Sequence, residues 1–177
     1  MDELAQRLDV ISPSTLNAHL PASVLAALPT AGVTVFRVDD DASDTAQFSA
    51  RYGFGLDDCA NTIVLRYRKG GEERHAAIVT LGSRRLDVNG AVKERLGAQR
   101  LSFAKREVAT ALTGMEFGGI TAFGLPADWL VLVDATVMTR EQVVMGAGVR
   151  VAKLLLRPHL LTSLPNVEVA AIAPDLA

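Results

Sequence analysis

Three glycines fall within eight residues at 117–124: Gly118, Gly119 and Gly124, with Ile120, Thr121 and Ala122 between them. A helix-like stretch, 105–113, leads in, and an apolar run, 130–133, leaves after Pro126 and closes on Asp134. Glycine tolerates backbone conformations that other residues resist and lets a ligand approach the main chain. Such a segment offers backbone N–H groups rather than side-chain chemistry, which is how proteins hold a carbonyl, a carboxylate or a developing oxyanion. Gly146 and Gly148 repeat the feature near the end of another apolar run, and Asn61 and Thr62 add small polar groups. The same pattern also suits a plain tight turn between a helix and a strand.

Other chemistries lack their residues. His19, His75 and His159 are far apart and the chain holds one cysteine, so no metal-binding spacing is present and no metal is expected. Cys59 has no nearby histidine to make a nucleophile pair and suits a small buried hydrophobe. Gly146-Ala147-Gly148 has the glycines of a dinucleotide loop, but 149–156 continues as a strand where that loop would open a helix. No Gly-Lys-Ser/Thr phosphate loop occurs, so no cofactor is expected. No general base of the usual kind stands out. A pocket of main chain and small polar groups suits a substrate whose bond is already reactive, where positioning and oxyanion stabilisation supply most of the rate. An aminoacyl ester is one such bond.

Several elements must position these groups. Short helices are expected over 2–8 and 21–28, and a strand over 33–38 ends at the acidic run 39–41. Ser43 or Asp44 caps a helix through Tyr52. Strands at 60–68 and 74–81 flank a Gly-Gly hairpin turn. A short strand at 86–88, a helix from Asn89 to Leu96 and a strand at 99–103 precede the helix 105–113, which Gly114 ends. Strands follow at 130–133, 142–147, 151–156 and 167–172, with a helix from Pro158 to Leu164. Strand–helix alternation is absent. The fold expected is therefore α+β: a mixed, partly closed β-sheet or barrel of about seven strands with surrounding helices.

The chain of 177 residues suits one domain, with its core at about 32–172 and an N-terminal helical extension at 1–31. Apolar residues are 49% and charged residues 21%, which excludes disorder, and no apolar run is long enough for a membrane span. The acidic start is unlike a secretory signal, and the lone cysteine suits a reducing compartment, so a cytoplasmic protein without a membrane partner is expected. Net charge is −2, but residues 66–106 hold eleven Lys and Arg against four Asp and Glu. A basic middle can meet a phosphate backbone, and equally can be solvated surface.

The order of motifs resembles the YbaK/prolyl-tRNA synthetase-associated domain family of aminoacyl-tRNA editing enzymes, over roughly 32–172. Residues 61–65 stand where that family has a Lys-Thr-Leu-type strand, and 114–124 resemble its glycine-rich substrate loop. Residues 131–134 are similar to the following strand with its Asp, 144–148 to a late glycine segment, and 157–160 to a late helix start. The resemblance implies hydrolysis of a wrong amino acid from the 3′ end of a tRNA without a cofactor, the substrate's own ribose hydroxyl or a water acting while backbone groups of the loop orient the ester. By position, Asn61, Gly118 and Gly119 take catalytic places, and Thr62, Ile120, Thr121, Ala122, Asp134, Gly146 and Gly148 take substrate-binding places. Two departures stand out. Asn61 replaces the family lysine, and Ala122 replaces the loop proline. Asparagine keeps a donor but loses the charge and its reach, and Lys69 and Lys105 are poorly placed to substitute. The expectation is a trans-editing deacylase for a tRNA mischarged with a small amino acid, with tRNA as its partner and an aminoacyl-tRNA synthetase as a candidate second partner. The alternatives are a catalytically silent aminoacyl- or nucleotide-binding module and a hydrolase of another small ester.

Overall fold

The computed structural model describes residues 2–174. Its nine strands form one mixed sheet: β1 (Asp9–Val10), β2 (Val33–Arg37), β3 (Cys59–Lys69), β4 (Glu72–Leu81), β5 (Arg100–Phe103), β6 (Leu130–Asp134), β7 (Val143–Gly146), β8 (Ala152–Leu156) and β9 (Val167–Ala170). Their order is β1-β2-β8-β7-β3-β4-β6-β9, with β5 added on β3, and the path does not close on itself. The helices are α1 (Asp2–Ala5), α2 (Ala22–Ala27), α3 (Thr45–Tyr52), α4 (Lys93–Leu96) and α5 (Arg106–Thr113). This is the mixed α+β architecture expected from the sequence, with an open sheet rather than a barrel.

The hairpin β3–β4 is the longest pairing, ten residues in antiparallel register from Ala60 opposite Leu81 to Lys69 opposite Glu72. Its turn residues Gly70 and Gly71 have φ of 59° and 79°, the left-handed region that a tight two-residue hairpin demands and glycine supplies without strain. On its other edge β3 has two partners. β7 runs parallel to it at Cys59 and Ala60, and β5 runs antiparallel from Leu65 to Arg68. Between them, residues 61–63 have no strand neighbour on that edge. The gap is where the candidate site lies.

Apolar side chains from both sheet faces make the core. One cluster joins Ala60, Met145, Leu154 and Val133 with Phe123 and Ala122. On the opposite face Phe36, Phe48, Cys59, Val144 and Leu155 pack beneath α3. Buried Cys59 is thus part of a core cluster, and burial pushes its thiol up to about 11. Asp44 caps α3 by accepting from the Gln47 N–H.

Three local differences from the sequence expectation have physical causes. Residues 86–88 are not a strand, because the Asp87 carboxylate accepts from the N–H groups of Gly90 and Ala91 and nucleates a helical turn instead. The Pro158 helix is a tight 3₁₀ turn, Pro158–Ser163. The short strand β1, unremarked in the sequence, adds to β2 through Asp9 and Val10.

Candidate functional site

A cavity of about 530 Å³ opens where β3 lacks its neighbour. Strand residues 60–64 form its floor, and the ends of β5 and β7 bound it through Phe103 and Gly146. Ala109 of α5 with Phe117, Gly118 and Ile120 makes one wall; Ser43, Asp44 and Thr45, at the start of α3, make the other, with Arg150 and Lys153.

The backbone faces this space. Cys59 accepts from Gly82 N–H on the β4 side, and Val64 accepts from Ala104 N–H on the β5 side. Since strand residues alternate in direction, Thr62 turns its N–H and C=O into the gap. Its Oγ1 is buried and has no hydrogen-bond partner among the described residues. In the loop, Gly119 N–H is committed to Glu116 O and Thr121 N–H to Met115 Sδ. The N–H groups of Gly118 and Ile120 have no protein acceptor among the described residues. Free donors beside a cavity are what a carbonyl or an oxyanion requires.

The glycines have two roles, lining the cavity and allowing close approach, and Gly146 has both. Gly118 lines the cavity. Gly119 and Gly146 let two loops meet: a Cβ on Gly119 would sit 2.3 Å from Val149 O, and one on Gly146 would sit 2.5 Å from Ile120 O. The contact is sealed by Gly148 N–H donating to Gly119 O at 2.6 Å. Gly148 itself packs on Pro21 and Val24. The close approach is therefore between backbone and backbone, and it holds the Gly118 and Ile120 amides in place.

Of the residues singled out in the sequence, Asn61, Thr62, Gly118, Ile120 and Gly146 line the cavity together. Gly119, Thr121, Ala122, Asp134 and Gly148 stand outside its lining. Thr121 and Ala122 are buried behind the loop. Asp134 is 1% exposed at the end of β6; its carboxylate accepts from the N–H groups of Ile172, Ala173 and Thr136 and from the Thr136 hydroxyl.

Asn61 Oδ1 accepts from Thr45 Oγ1, which leaves its Nδ2 donors without a protein partner. Arg150 braces the mouth: its Nε donates to Asp40 Oδ1 at 2.8 Å and its Nη1 to Phe117 O at 3.4 Å. Arg106 lies 4.9 Å from the centre of the Phe117 ring. At the rim, hydrogen bonding from Arg51 holds the Asp41 carboxyl below its ordinary range.

Lys153 was not among the residues drawn from the sequence. It enters from β8, 7% exposed, and its Nζ donates to Ser43 O at 2.9 Å and lies 5.1 Å from the Phe48 ring centre. Burial pushes its ammonium pKa down, against smaller upward effects of Cys59 and Asp44. The sequence does carry a signal for it: a lysine inside the apolar run 151–156, a strand buried on both faces, has no solvated side to occupy.

Among the described residues no group of three or more His, Cys, Asp or Glu is arranged to hold a metal ion, and no helix is long and apolar enough to cross a membrane.

The profile of the aminoacyl-tRNA editing domain matches residues 39–164, a span containing every cavity residue named above. Solved structures share the fold. A candidate trans-editing enzyme for prolyl tRNA synthetase is 22% identical over 93% of this chain and 99% of that one, with a TM-score of 0.74. The hypothetical protein APE2540 is 24% identical over 79% and 90%, with a TM-score of 0.70. A scaffold protein from the computational grafting of linear epitopes is 21% identical over 93% and 100%, with a TM-score of 0.73. No curated protein matches the chain.

Proposed function

We infer the function from the family: the chain belongs to the aminoacyl-tRNA editing domain family, and its reading is that of a trans-editing deacylase. The substrate proposed is a tRNA mischarged with a small amino acid, and residues 1–177 are proposed to act as one editing domain. Synthetase recruitment and a cytoplasmic setting belong to the same reading.

The observation that carries it is the strand gap. Thr62 on one side and Gly118 with Ile120 on the other line one cavity with backbone N–H groups that no protein acceptor among the described residues takes up, and no histidine is among its lining residues. Such a site suits the ester of an aminoacyl-tRNA. The Gly118 and Ile120 amides would stabilise the oxygen of the ester carbonyl as it gains charge. A water held near Thr62, oriented by the free ribose hydroxyl, would attack the carbonyl carbon. The bond to the ribose oxygen would break, that oxygen would take up the water's proton, and the free amino acid would be released. Ala60, Val64, Ala109 and Ile120 give the cavity apolar walls, and the terminal ribose shares the same space, which favours a short side chain. Asp41 and Asp44 at the rim suit the α-ammonium group.

A second reading rests on Asn61. Its amide lacks the charge of the family lysine, so a catalytically silent module that only binds the aminoacyl end is the alternative.

Deacylation of tRNA-Pro charged with Ala, Cys or Ser, by wild type and Asn61→Lys in parallel, tests both. Turnover by wild type is the result expected. An inert wild type rescued by Asn61→Lys favours the silent module. No binding or hydrolysis by either variant rejects the tRNA reading.

A further inference from the structure

Lys153 is a buried cation with too few partners. An ammonium carries three N–H donors. Among the described residues one of them finds a protein acceptor, Ser43 O. No carboxylate lies within ion-pair distance of Nζ among the described residues. The Phe48 ring covers one side of it, and the side chain lines the cavity. Keeping a charge this deep with donors unsatisfied is costly, and a leucine or methionine would fill β8 without that cost.

The register explains what the lysine faces. Ala60 lies beside Met145, Asn61 opposite Thr80, and Gly146 opposite Lys153. Asn61 and Gly146 each follow the last β3–β7 pair, so Asn61, Gly146 and Lys153 continue the line of that pairing beside the gap, with no side chain at the central position. Asn61 Nδ2 and Lys153 Nζ, both with donors unused by protein, flank Gly146. Just above Gly146 the carbonyls of Gly119 and Ile120 arrive from the loop whose amides border the cavity.

We propose that Lys153 is a substrate-positioning residue whose ammonium donates to the oxygens joining the aminoacyl group to the terminal ribose. The inference rests on the deacylase reading and deepens it. The two ester oxygens are acceptors only, so an ammonium and an amide meeting the linkage side by side fix its orientation. The cation arrives from β8, two strands away from Asn61. It supplies, at the same cavity, the positive charge that Asn61 lacks.

The test uses Lys153→Met, which keeps the apolar stem and removes the donors. A non-hydrolysable amide analogue of aminoacyl-adenosine and plain adenosine are titrated into wild type and variant, and deacylation is followed on the mischarged tRNA that wild type hydrolyses. The expected result is a loss of about 10- to 100-fold in analogue affinity and in kcat/KM, with adenosine affinity unchanged and Tm unchanged or higher. Full analogue affinity and full turnover in Lys153→Met overturn the inference, leaving the lysine as a tie to Ser43. Should the variant fail to fold, the Nζ resonance of Lys153 in wild type is followed by NMR as the analogue is added. A shift supports the inference, and none at saturation overturns it. Wild type that binds no analogue and hydrolyses no ester overturns the deacylase reading as well, an outcome distinct from wild-type turnover that Lys153→Met leaves intact.

Discussion

Asp134 and Lys153 are both buried charges on interior strands of the same sheet, and their surroundings are opposite. Asp134 has four donors directed at its two oxygens, from Thr136 and from the chain at Ile172 and Ala173. Every one belongs to the protein, so the carboxylate ties the end of β6 to the segment after β9. Lys153 has one protein acceptor and a cavity beyond it. A buried charge that the chain satisfies by itself holds structure together; one left incomplete at a cavity wall is arranged for something else. The number of partners, more than burial or strand position, separates them.

The largest expected effect comes from breaking the satisfied member. Asp134→Ala leaves two buried backbone N–H groups at 172 and 173 without an acceptor and is expected to cost about 3 kcal/mol or more, read as a lower urea midpoint. Lys153→Met is expected to stay within about 1 kcal/mol of wild type or to be more stable. Equal losses for the two variants would remove the distinction.

Gly146→Ala tests the space beside Lys153. A Cβ there meets the carbonyls of Ile120 and Gly119 at 2.5 and 2.6 Å, and neither backbone can move without shifting the loop. A stability loss of about 1–3 kcal/mol and loss of deacylation are expected, measured by thermal melting and single-turnover hydrolysis.

Thr62 extends the comparison to a neutral group. Its hydroxyl is buried and has no partner among the described residues, and Lys153 likewise has donors beyond the one that Ser43 O accepts. Thr62→Val is expected to leave stability unchanged or raised by up to about 1 kcal/mol, while kcat/KM falls roughly tenfold if the hydroxyl meets substrate. A stability loss with unchanged turnover would make Thr62 a structural residue.

The smallest effects lie in the alkaline pH dependence, where two neighbours act in opposite directions. Burial raises the Cys59 thiol from 9.0 to about 11, so the folded state keeps a proton that the unfolded chain releases, and stability falls as pH rises through that window. Lys153 is lowered, so the unfolded chain holds a proton that the folded state gives up, and the cost of its burial is relieved as pH rises toward the ordinary lysine range. Urea midpoints between pH 8 and about 10.5 should therefore rise less steeply, or fall, in Lys153→Met compared with wild type, and the reverse in Cys59→Ala. Alkylation of folded Cys59 at pH 8 should be slow and track unfolding.

Local chemistry was legible in the chain. Gly-Gly between β-rich runs marked the hairpin, and Asp44 marked the cap of α3. The glycine-rich loop was visible as a source of backbone donors, and Gly118 and Ile120 line the cavity. Residues 86–88 were misleading because an Asp followed three residues later by Gly caps a turn as readily as it ends a strand, and only the pairing of neighbours decides. Gly119 and Gly146 were marked as close-approach positions, but sequence does not say what approaches: here each meets the other's loop.

What the sequence determined by itself is what short-range physics controls: hairpin, caps, apolar periodicity, and the ordered motifs that carry the family. What the tertiary structure decided is which strand edges go unpaired and which side chains share a cavity. β7 and β5 both dock on β3 but leave 61–63 bare, and no local propensity encodes that interruption. Lys153 and Asn61 are ninety-two positions apart and become neighbours only through the β3–β7–β8 register. Contacts of that kind are set by the packing of the whole sheet, so the cation at the cavity emerges with the fold.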